Sequence, residues 1–343
     1  MNDQILRNHL QEMSEKNHSV YQLFDSLENA ELDIDSISTL RQEAAQVVDL
    51  VLLNGLNAGP AIRQTGDAIV RMGMPMAHNA LLAWRSAIAG AYPSRRGMHT
   101  ILHNFRQWLD GIDPVAQTSF LEALPKLAPA ISQLGTNGVQ KIIEAIKSSK
   151  TVDECQMMLT YVSAYGFTSA PTVLGMCQLA QRAIQWGRTD YLTSLATIVP
   201  PERTGESSDA KKLIPALAQL SEACAERGEA TWCRALDLIL TLAEKSYSSS
   251  YVTAQKLPRH LQTCSPDAAV AYLEDFCALA KAVGIRIVGF GLGRLPTFYK
   301  KYGLERTRTF IHRAVLATKS YGVTAGQWFY EMKTAAARQM LNG

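Results

Sequence analysis

Two histidines offer the first chemistry that this sequence could perform, because His99 and His103 are four residues apart. On a helix that spacing places both imidazole rings on one face, where they could reach the same metal ion. A stable metal site needs further ligands, and the pair has neither a His-Glu-x-x-His motif nor a third ligand nearby in sequence. We therefore interpret the histidines as partly exposed side chains, and we expect neither a metal nor another cofactor.

A glycine cluster is the second candidate site. Gly289, Gly291 and Gly293 follow the residues Ile-Arg-Ile-Val at 285–288, and a glycine turn after a strand can cradle a phosphate with its backbone N–H groups. The cluster lacks the full G-x-G-x-x-G spacing and the Lys-Ser/Thr pair of a phosphate-binding loop. We favour glycines in a helix that a neighbour approaches closely, with a phosphate or small-ligand pocket as the alternative.

Other motifs that would indicate catalysis are missing. The run at 33–38 (Asp-Ile-Asp-Ser-Ile-Ser) is close to a metal-binding Asp-x-Ser-x-Ser loop but has the wrong spacing. It fits better as the start of a helix at Ile37, with Asp35 or Ser36 as the N-cap. The sequence contains no Gly-x-Ser-x-Gly elbow, no Cys-His motif and no paired carboxylates. These observations favour a non-catalytic protein over an enzyme.

Charge is distributed unevenly along the chain. Residues 1–36 carry eight acidic and two basic side chains, whereas residues 284–343 carry ten basic and two acidic ones. Aromatic residues lie among the cations: Phe298, Tyr299, Tyr302, Phe310 and Tyr321. We expect a partner surface there, formed by Arg286, Arg294, Lys300, Lys301, Tyr302, Arg306, Arg308 and Arg313.

Several partners fit such a surface. The leading expectation is an acidic protein, which the basic surface would attract and orient. Nucleic acid is the alternative, because cations contact phosphates while aromatic rings stack on bases. The acidic beginning and the basic end of the chain could also join copies head to tail. A solvated face that nearby acids neutralise in the fold is the non-functional interpretation.

The elements that must position these residues are helices. Apolar residues recur at steps of three and four between regularly spaced glycines, such as Gly284, Gly303 and Gly322, and glycine often ends a helix. The pattern predicts an all-α chain of about fourteen to seventeen helices. It fits either a helical-hairpin repeat array of HEAT-like type, with about 38 residues per repeat, or a compact multi-helix domain. Tyr165-Gly166 and Tyr321-Gly322 begin a weak internal match that favours the array.

Individual helix boundaries can be predicted from their capping residues. One helix is expected from the Ser265 cap to Val283, and another from the Thr151–Glu154 capping box to Tyr165. A third should begin at Asp113-Pro114 and end near Leu124, before Pro125. The polar, proline-led segment at 200–210 is expected to be a linker or a long loop. The sequence is thus divided into helical regions at 1–112, 113–199 and 211–343.

Composition limits the remaining possibilities. The chain has 343 residues, 47% hydrophobic and 19% charged, with a net charge of only +3. It has neither an apolar run long enough to insert into a membrane nor a signal peptide at its start. Its six cysteines lack the C-x-x-C pattern and are expected to be buried free thiols, which suits a cytoplasmic protein.

Two phrases provide a resemblance to a known family. Phe120–Pro129 and Ser265–Glu274 resemble the helical N-terminal region of von Willebrand-A-type accessory proteins, adaptors of MoxR-type AAA+ ATPases. The resemblance, which spreads over about 110–340, implies a helical adaptor module. The family's metal-dependent adhesion domain does not follow Gly343, so metal-dependent docking is not implied, and no functional residue is carried over.

Overall fold

A computed structural model describes residues 33–56, 59–206, 208–244, 246–262, 266–283 and 294–342. These residues form seventeen α-helices and no strand. In chain order the helices are α1 Ile34–Leu53, α2 Gly59–Arg71, α3 Met76–Gly90, α4 Arg95–Asp110, α5 Pro114–Ser148, α6 Val152–Ala164, α7 Ala170–Gln185, α8 Asp190–Ile198, α9 Pro201–Glu206, α10 Ser208–Ala225, α11 Glu229–Ala243, α12 Tyr247–Leu261, α13 Pro266–Val283, α14 Arg294–Tyr302, α15 Leu304–Tyr321, α16 Val323–Tyr330 and α17 Ala335–Asn342. The all-α prediction is confirmed.

The chain divides into two compact units, Met1–Gln181 and Arg182–Gly343. In unit 1, α3 packs against both α1 and α5, and α2 packs against α4. In unit 2, α10 packs against α12, while α13 packs against both α11 and α15. Within each unit a helix therefore contacts the next-but-one helix as well as its immediate neighbour.

Apolar stripes at helical spacing form the core, as the periodicity predicts. In α4 the stripe that is buried consists of Met98, Ile101, Leu102, Phe105, Trp108 and Leu109. The helix ends at Asp110, immediately before Gly111. Burial of such a stripe against neighbouring helices supplies most of the stability of an amphipathic helix in water.

The capping predictions are partly confirmed. Thr151 caps α6 by accepting a hydrogen bond from the Glu154 N–H at 3.2 Å, and the Glu154 carboxylate accepts one from the Lys150 N–H at 2.7 Å. The helix α13 has the expected bounds, although Ser265 and Gly284 lie outside the described residues. At α1 the N-cap is Asp33 instead of Asp35 or Ser36, because its carboxylate accepts from both the N–H and the hydroxyl of Ser36.

Helix α5 contradicts the prediction that Pro125 ends a helix. It continues through Pro125 and Pro129 to Ser148, with one break at Gly135. A proline inside a helix removes one N–H donor, so the carbonyl four residues earlier loses its partner. Burial of the residues that directly precede the prolines, Leu124 and Ala128, keeps the segment helical in spite of that cost.

The segment at 200–210 also differs from its prediction as a linker. Pro201–Glu206 is helical, and α10 begins at Ser208. Proline fits the first turn of a helix, and the side chain of Thr204 is buried and donates to the Pro201 carbonyl at 2.6 Å. The division between the units falls within α7 at 181–182 and not in this segment.

The regular glycines have two different roles. Five have a positive φ at helix ends, as predicted: Gly55, Gly73, Gly187, Gly303 and Gly322. Gly166 instead lies against the backbone of α5, where a Cβ would be 1.9 Å from the Lys126 carbonyl oxygen. The match between Tyr165-Gly166 and Tyr321-Gly322 is therefore not a structural equivalence, because Tyr165 is buried and Tyr321 is exposed.

Candidate functional site

The structure describes only part of the predicted partner surface. Arg286 and the glycine cluster at 289–293 lie outside the described residues. Arg294 is the first residue of α14, and its side chain is not among those described. The remaining predicted residues lie on α14 and α15: Lys300, Lys301, Tyr302, Arg306, Arg308 and Arg313.

Arg308 is bound within unit 2 and does not project freely into solvent. Its guanidinium contacts Glu274 at 3.0 Å and Asp275 at 3.5 Å, both on α13. Partial burial opposes its charge, but the two carboxylates together raise the pKa of Arg308. Because Glu274 and Asp275 compensate its charge within the fold, we infer that Arg308 stabilises the helices that form the surface.

Arg308 belongs to a chain of polar contacts that connects five helices. The Tyr191 hydroxyl of α8 donates to Asp237 of α11 at 2.8 Å, and Arg234 of α11 approaches both Asp237 and Glu274. From Glu274 the contacts continue through Arg308 to Asp275, which accepts a hydrogen bond from the Tyr299 hydroxyl. We call these residues the polar chain: Tyr191, Asp237, Arg234, Glu274, Arg308, Asp275 and Tyr299.

Asp275 is the buried acid of the polar chain, with 7% of its surface exposed. Burial raises the pKa of its carboxyl group, while the Tyr299 hydrogen bond and the Arg308 charge lower it, and the net shift is upward. Its neighbours therefore offset only part of the cost of removing the carboxylate from water. Asp275 connects α13 to both α14 and α15, the two helices that carry the predicted cations.

Five other cations of α14 and α15 are exposed: Lys300, Lys301, Arg306, Arg313 and Lys319. We call them the basic set. None of the five forms an ion pair with another described residue, whereas Lys333 is paired with Glu331 at 2.7 Å. Over 294–342 the sequence has nine basic and two acidic side chains, a balance of +7. The positive charge of this region is thus directed largely to solvent.

Most of the aromatic residues that the sequence places among the cations lie beneath this surface. Phe298 and Phe310 are buried and pack edge to face, with ring centroids 5.7 Å apart. Tyr299 is held by Asp275, and the half-buried Tyr302 donates to Asn342 at 3.2 Å. Of the five aromatic residues named in the sequence analysis, Tyr321 alone is exposed.

Helices α15 and α16 cross where Gly326 approaches Thr318. Four apolar side chains close to these residues in sequence are exposed, and we call them the exposed apolar group. Its members are Leu316, Tyr321, Val323 and Trp328, which are 38%, 82%, 46% and 54% exposed. Gly326 fixes the crossing, because a Cβ there would be 1.7 Å from the Thr318 hydroxyl oxygen. Each of the four lies within three residues of Thr318 or Gly326, which is less than one helical turn. Lys319 of the basic set follows Thr318 directly.

Trp328 is the largest side chain of the exposed apolar group, although tryptophans usually fill seams between helices. Trp84, Trp108 and Trp232 do so and are fully buried. In α16, however, Trp328, Phe329 and Tyr330 are consecutive, and a helix turns by about 100° per residue. Three adjacent aromatic rings cannot all face one side, and α16 buries Tyr330 while exposing Trp328.

The two histidines lie together, as predicted, on the exposed side of α4. The rings of His99 and His103 stack with centroids 4.0 Å apart. Partial burial and the neighbouring His103 lower the pKa of His99. Among the described residues, no group of three or more histidine, cysteine, aspartate or glutamate side chains could hold a metal ion.

The comparisons do not identify the chain. No family model, curated protein or solved structure matches it. The described helices also include none that is both long and apolar enough to cross a membrane. Among the described residues, the site offers exposed cations without an ion-pair partner, together with the exposed aromatic rings of Tyr321 and Trp328.

Proposed function

We propose that this chain is a non-catalytic adaptor or scaffold that binds an acidic partner protein through the exposed surface of α14–α16. The observation that carries the proposal is the basic set, five exposed cations without an ion-pair partner among the described residues. Opposite charge on a partner would steer its approach and fix its orientation. An adaptor role is also what the resemblance to the von Willebrand-A-type accessory proteins implies.

The surroundings of the basic set favour a protein partner over nucleic acid. Phe298 and Phe310 are buried, so they are not available as platforms on which bases could stack. Instead, the exposed apolar group provides aromatic and aliphatic side chains next to cations. Aromatic and arginine residues are enriched at the energetic centres of protein interfaces, which polar residues surround.

A helical-hairpin repeat array is the architecture that we infer for the scaffold. Helices contact their next-but-one neighbours in both units. Three of the side-chain hydrogen bonds between helices join residues 39 to 42 positions apart, namely Arg85–Gln46, Arg106–Gln64 and Arg182–Glu222. That separation agrees with a hairpin of about 38 residues, and stacked hairpins create extended surfaces for partners.

Charge reversal of the surface tests the proposal. We would purify partners from a cell extract with the wild type and with the double variant Arg306→Glu and Arg313→Glu. The matched control is Lys141→Glu with Lys147→Glu, which changes the net charge equally on exposed positions of α5 in unit 1. Circular dichroism would confirm that all three proteins retain their helix content.

We expect the surface variant to lose proteins that the wild type and the control both retain. An unchanged set of partners would overturn the assigned surface. Nuclease treatment of the extract separates the alternative: partners that disappear with it would indicate binding through nucleic acid. Affinity for such a nucleic-acid partner would also fall steeply as salt concentration rises, because phosphate contacts release counterions.

A further inference from the structure

The acidic beginning of the sequence complements the surface of α14–α16. We propose that residues 1–32 of one copy of the chain bind the exposed apolar group and basic set of a second copy. Copies then associate head to tail. The inference rests on the surface identified under the proposed function, but it names a specific occupant, which is a segment of the chain itself.

Charge complementarity is the first argument. Residues 1–32 contain six acidic and two basic side chains, a balance of −4, against +7 over 294–342. The two charges oppose each other while the whole chain has only +3, so long-range repulsion between copies is weak. Attraction between such surfaces acts over about 10 Å at moderate salt and orients approaching molecules.

The apolar pattern of the segment is the second argument. Six apolar residues follow one another at alternating steps of four and three, if the polar Asn17 is counted between the third and the fourth of them. They are Leu6, Leu10, Met13, Val20, Phe24 and Leu27. When a segment with this spacing binds as a helix, these residues form one apolar stripe with polar residues around it. Such a stripe is the counterpart that an exposed apolar group requires.

The receiving side supplies the matching anchor. Trp328 and Tyr321 are exposed by 54% and 82%, and Val323 lies between them in sequence. Burying an exposed tryptophan and its neighbours releases water from apolar surface, and such residues commonly dominate an interface. Lys319 and Arg313 lie on the same helix, α15, where they can pair with acids that flank the apolar stripe.

The two binding elements, residues 1–32 and the surface of α14–α16, are different from each other, and every copy of the chain carries both. An interface between unlike surfaces leaves the second surface of each copy available for another copy. Such contacts are heterologous and produce closed rings or extending chains, not isolated two-fold dimers. The expected behaviour of the wild type is therefore association that extends with concentration.

A complementation experiment with the full chain tests the proposal. The segment variant carries Leu10→Asp and Phe24→Asp, and the surface variant carries Val323→Asp and Trp328→Asp. The control variant carries Tyr92→Asp and Val115→Asp, two exposed apolar positions of unit 1. Analytical ultracentrifugation measures the mass of each protein alone and of the equimolar mixture of the segment and surface variants.

We expect the wild type and the control to exceed the monomer mass of 37.7 kDa increasingly with concentration. Each of the other two variants alone should associate about thirtyfold more weakly or remain monomeric, the size of effect typical for losing an interface anchor. Their mixture should form a one-to-one complex, because one retains the surface and the other retains the segment. Raising the salt concentration should weaken that complex.

Three results would overturn the proposal. The first is a wild type that remains monomeric at low salt, and the second is an equimolar mixture that forms no complex. The third is association that survives both in the segment variant alone and in the surface variant alone. The proposed function is tested separately with the segment variant, because its substitutions leave the surface of α14–α16 intact. If that variant still captures partners in a manner that depends on Arg306 and Arg313, the adaptor proposal stands even when self-association fails.

Discussion

Tyr299 of α14 donates its hydroxyl hydrogen bond to Asp275 of α13, a carboxylate that is almost completely buried. The other oxygen of the same carboxylate contacts Arg308 of α15 at 3.5 Å. A single side chain thus joins the helix beneath to the two helices that display the basic set. The position of the surface therefore depends on one buried acid and its two partners.

Removing the Tyr299 hydroxyl should destabilise unit 2. In Tyr299→Phe the buried Asp275 oxygen loses its donor, and an unsatisfied buried polar atom costs about 1–3 kcal/mol. Tyr302→Phe is the matched control on the same helix, because its hydroxyl contacts Asn342 in an exposed position, and it should cost less than about 0.5 kcal/mol. Urea unfolding followed by circular dichroism measures both, and equal losses would contradict the assignment.

Asp275 should give the stability a specific pH dependence. Burial raises the pKa of its carboxyl group above the ordinary value of 3.8, against the opposing effects of Tyr299 and Arg308. A carboxyl with a raised pKa in the folded state releases its proton first in the unfolded chain. Its contribution to stability is therefore complete below pH 3.8 and is lost as pH rises through the folded-state pKa.

The variant Asp275→Asn isolates this effect from that of the other carboxylates. We expect the free energy of unfolding of the wild type, minus that of the variant, to decrease as pH rises above 3.8 and then to level off. Glu274 and Arg308 remain in both proteins and their own titrations largely cancel. A difference that grows with pH would mean that the ion pair outweighs burial and that the pKa of Asp275 is lowered.

The helices themselves follow from local sequence, and the exceptions occur where packing overrides local preference. The stripe from Met98 to Leu109 is predicted correctly because one face of a helix is read directly from spacing. The prediction that Pro125 ends a helix is wrong because the sequence shows only the hydrogen bond that a proline removes. The burial that offsets this loss comes from helices that are distant in sequence. The role of Gly166, in contact with Lys126 forty positions earlier, has no local signature.

The surface is predictable only in part for a similar reason. Clustering of cations in sequence correctly predicts exposed charge at Arg306 and Arg313. It does not separate Arg308 from them, because the compensating acids Glu274 and Asp275 are more than thirty residues away. Helix geometry alone, in contrast, shows that one ring of Trp328-Phe329-Tyr330 must face outward.

A methyl group at Gly166 should strongly destabilise unit 1. In Gly166→Ala the Cβ would lie 1.9 Å from the Lys126 carbonyl oxygen and 3.0 Å from the Leu127 Cα, and backbone atoms cannot rotate away. We expect a loss of about 3 kcal/mol or more, which is typical of severe overpacking. The loss should appear as a lower urea midpoint.

Gly73→Ala is the control for that experiment. Gly73 has a φ of +68° but nothing within 4 Å of a Cβ, so only the cost of a left-handed alanine applies, about 1–2 kcal/mol. If the two variants lose equal stability, close packing is not the reason for glycine at position 166.

Thiol reactivity should separate the cysteines by burial. Burial raises the pKa of Cys177 to about 12 and, against the opposing charge of Arg227, that of Cys224 to about 12. Because the thiolate is the reactive form, both should react with iodoacetamide roughly 10³-fold more slowly than an ordinary thiol at pH 8. Cys277, which is partly exposed, provides the internal comparison in peptide mass spectrometry. Fast labelling of Cys177 in the folded protein would contradict its burial.

Fluorescence quenching should report the charge around Trp328. This ring is 54% exposed, whereas Trp84, Trp108 and Trp232 are fully buried, so Trp328 should provide most of the fluorescence that ionic quenchers reach. The positive balance of 294–342 attracts iodide and repels caesium, so quenching by iodide should exceed that by caesium about twofold or more at low salt. Trp328→Phe should remove this difference and leave only the weaker quenching of the half-buried Trp186. Equal quenching by the two ions would show that the apolar group lies outside the field of the basic set, and it would remove the electrostatic support for a partner at this surface.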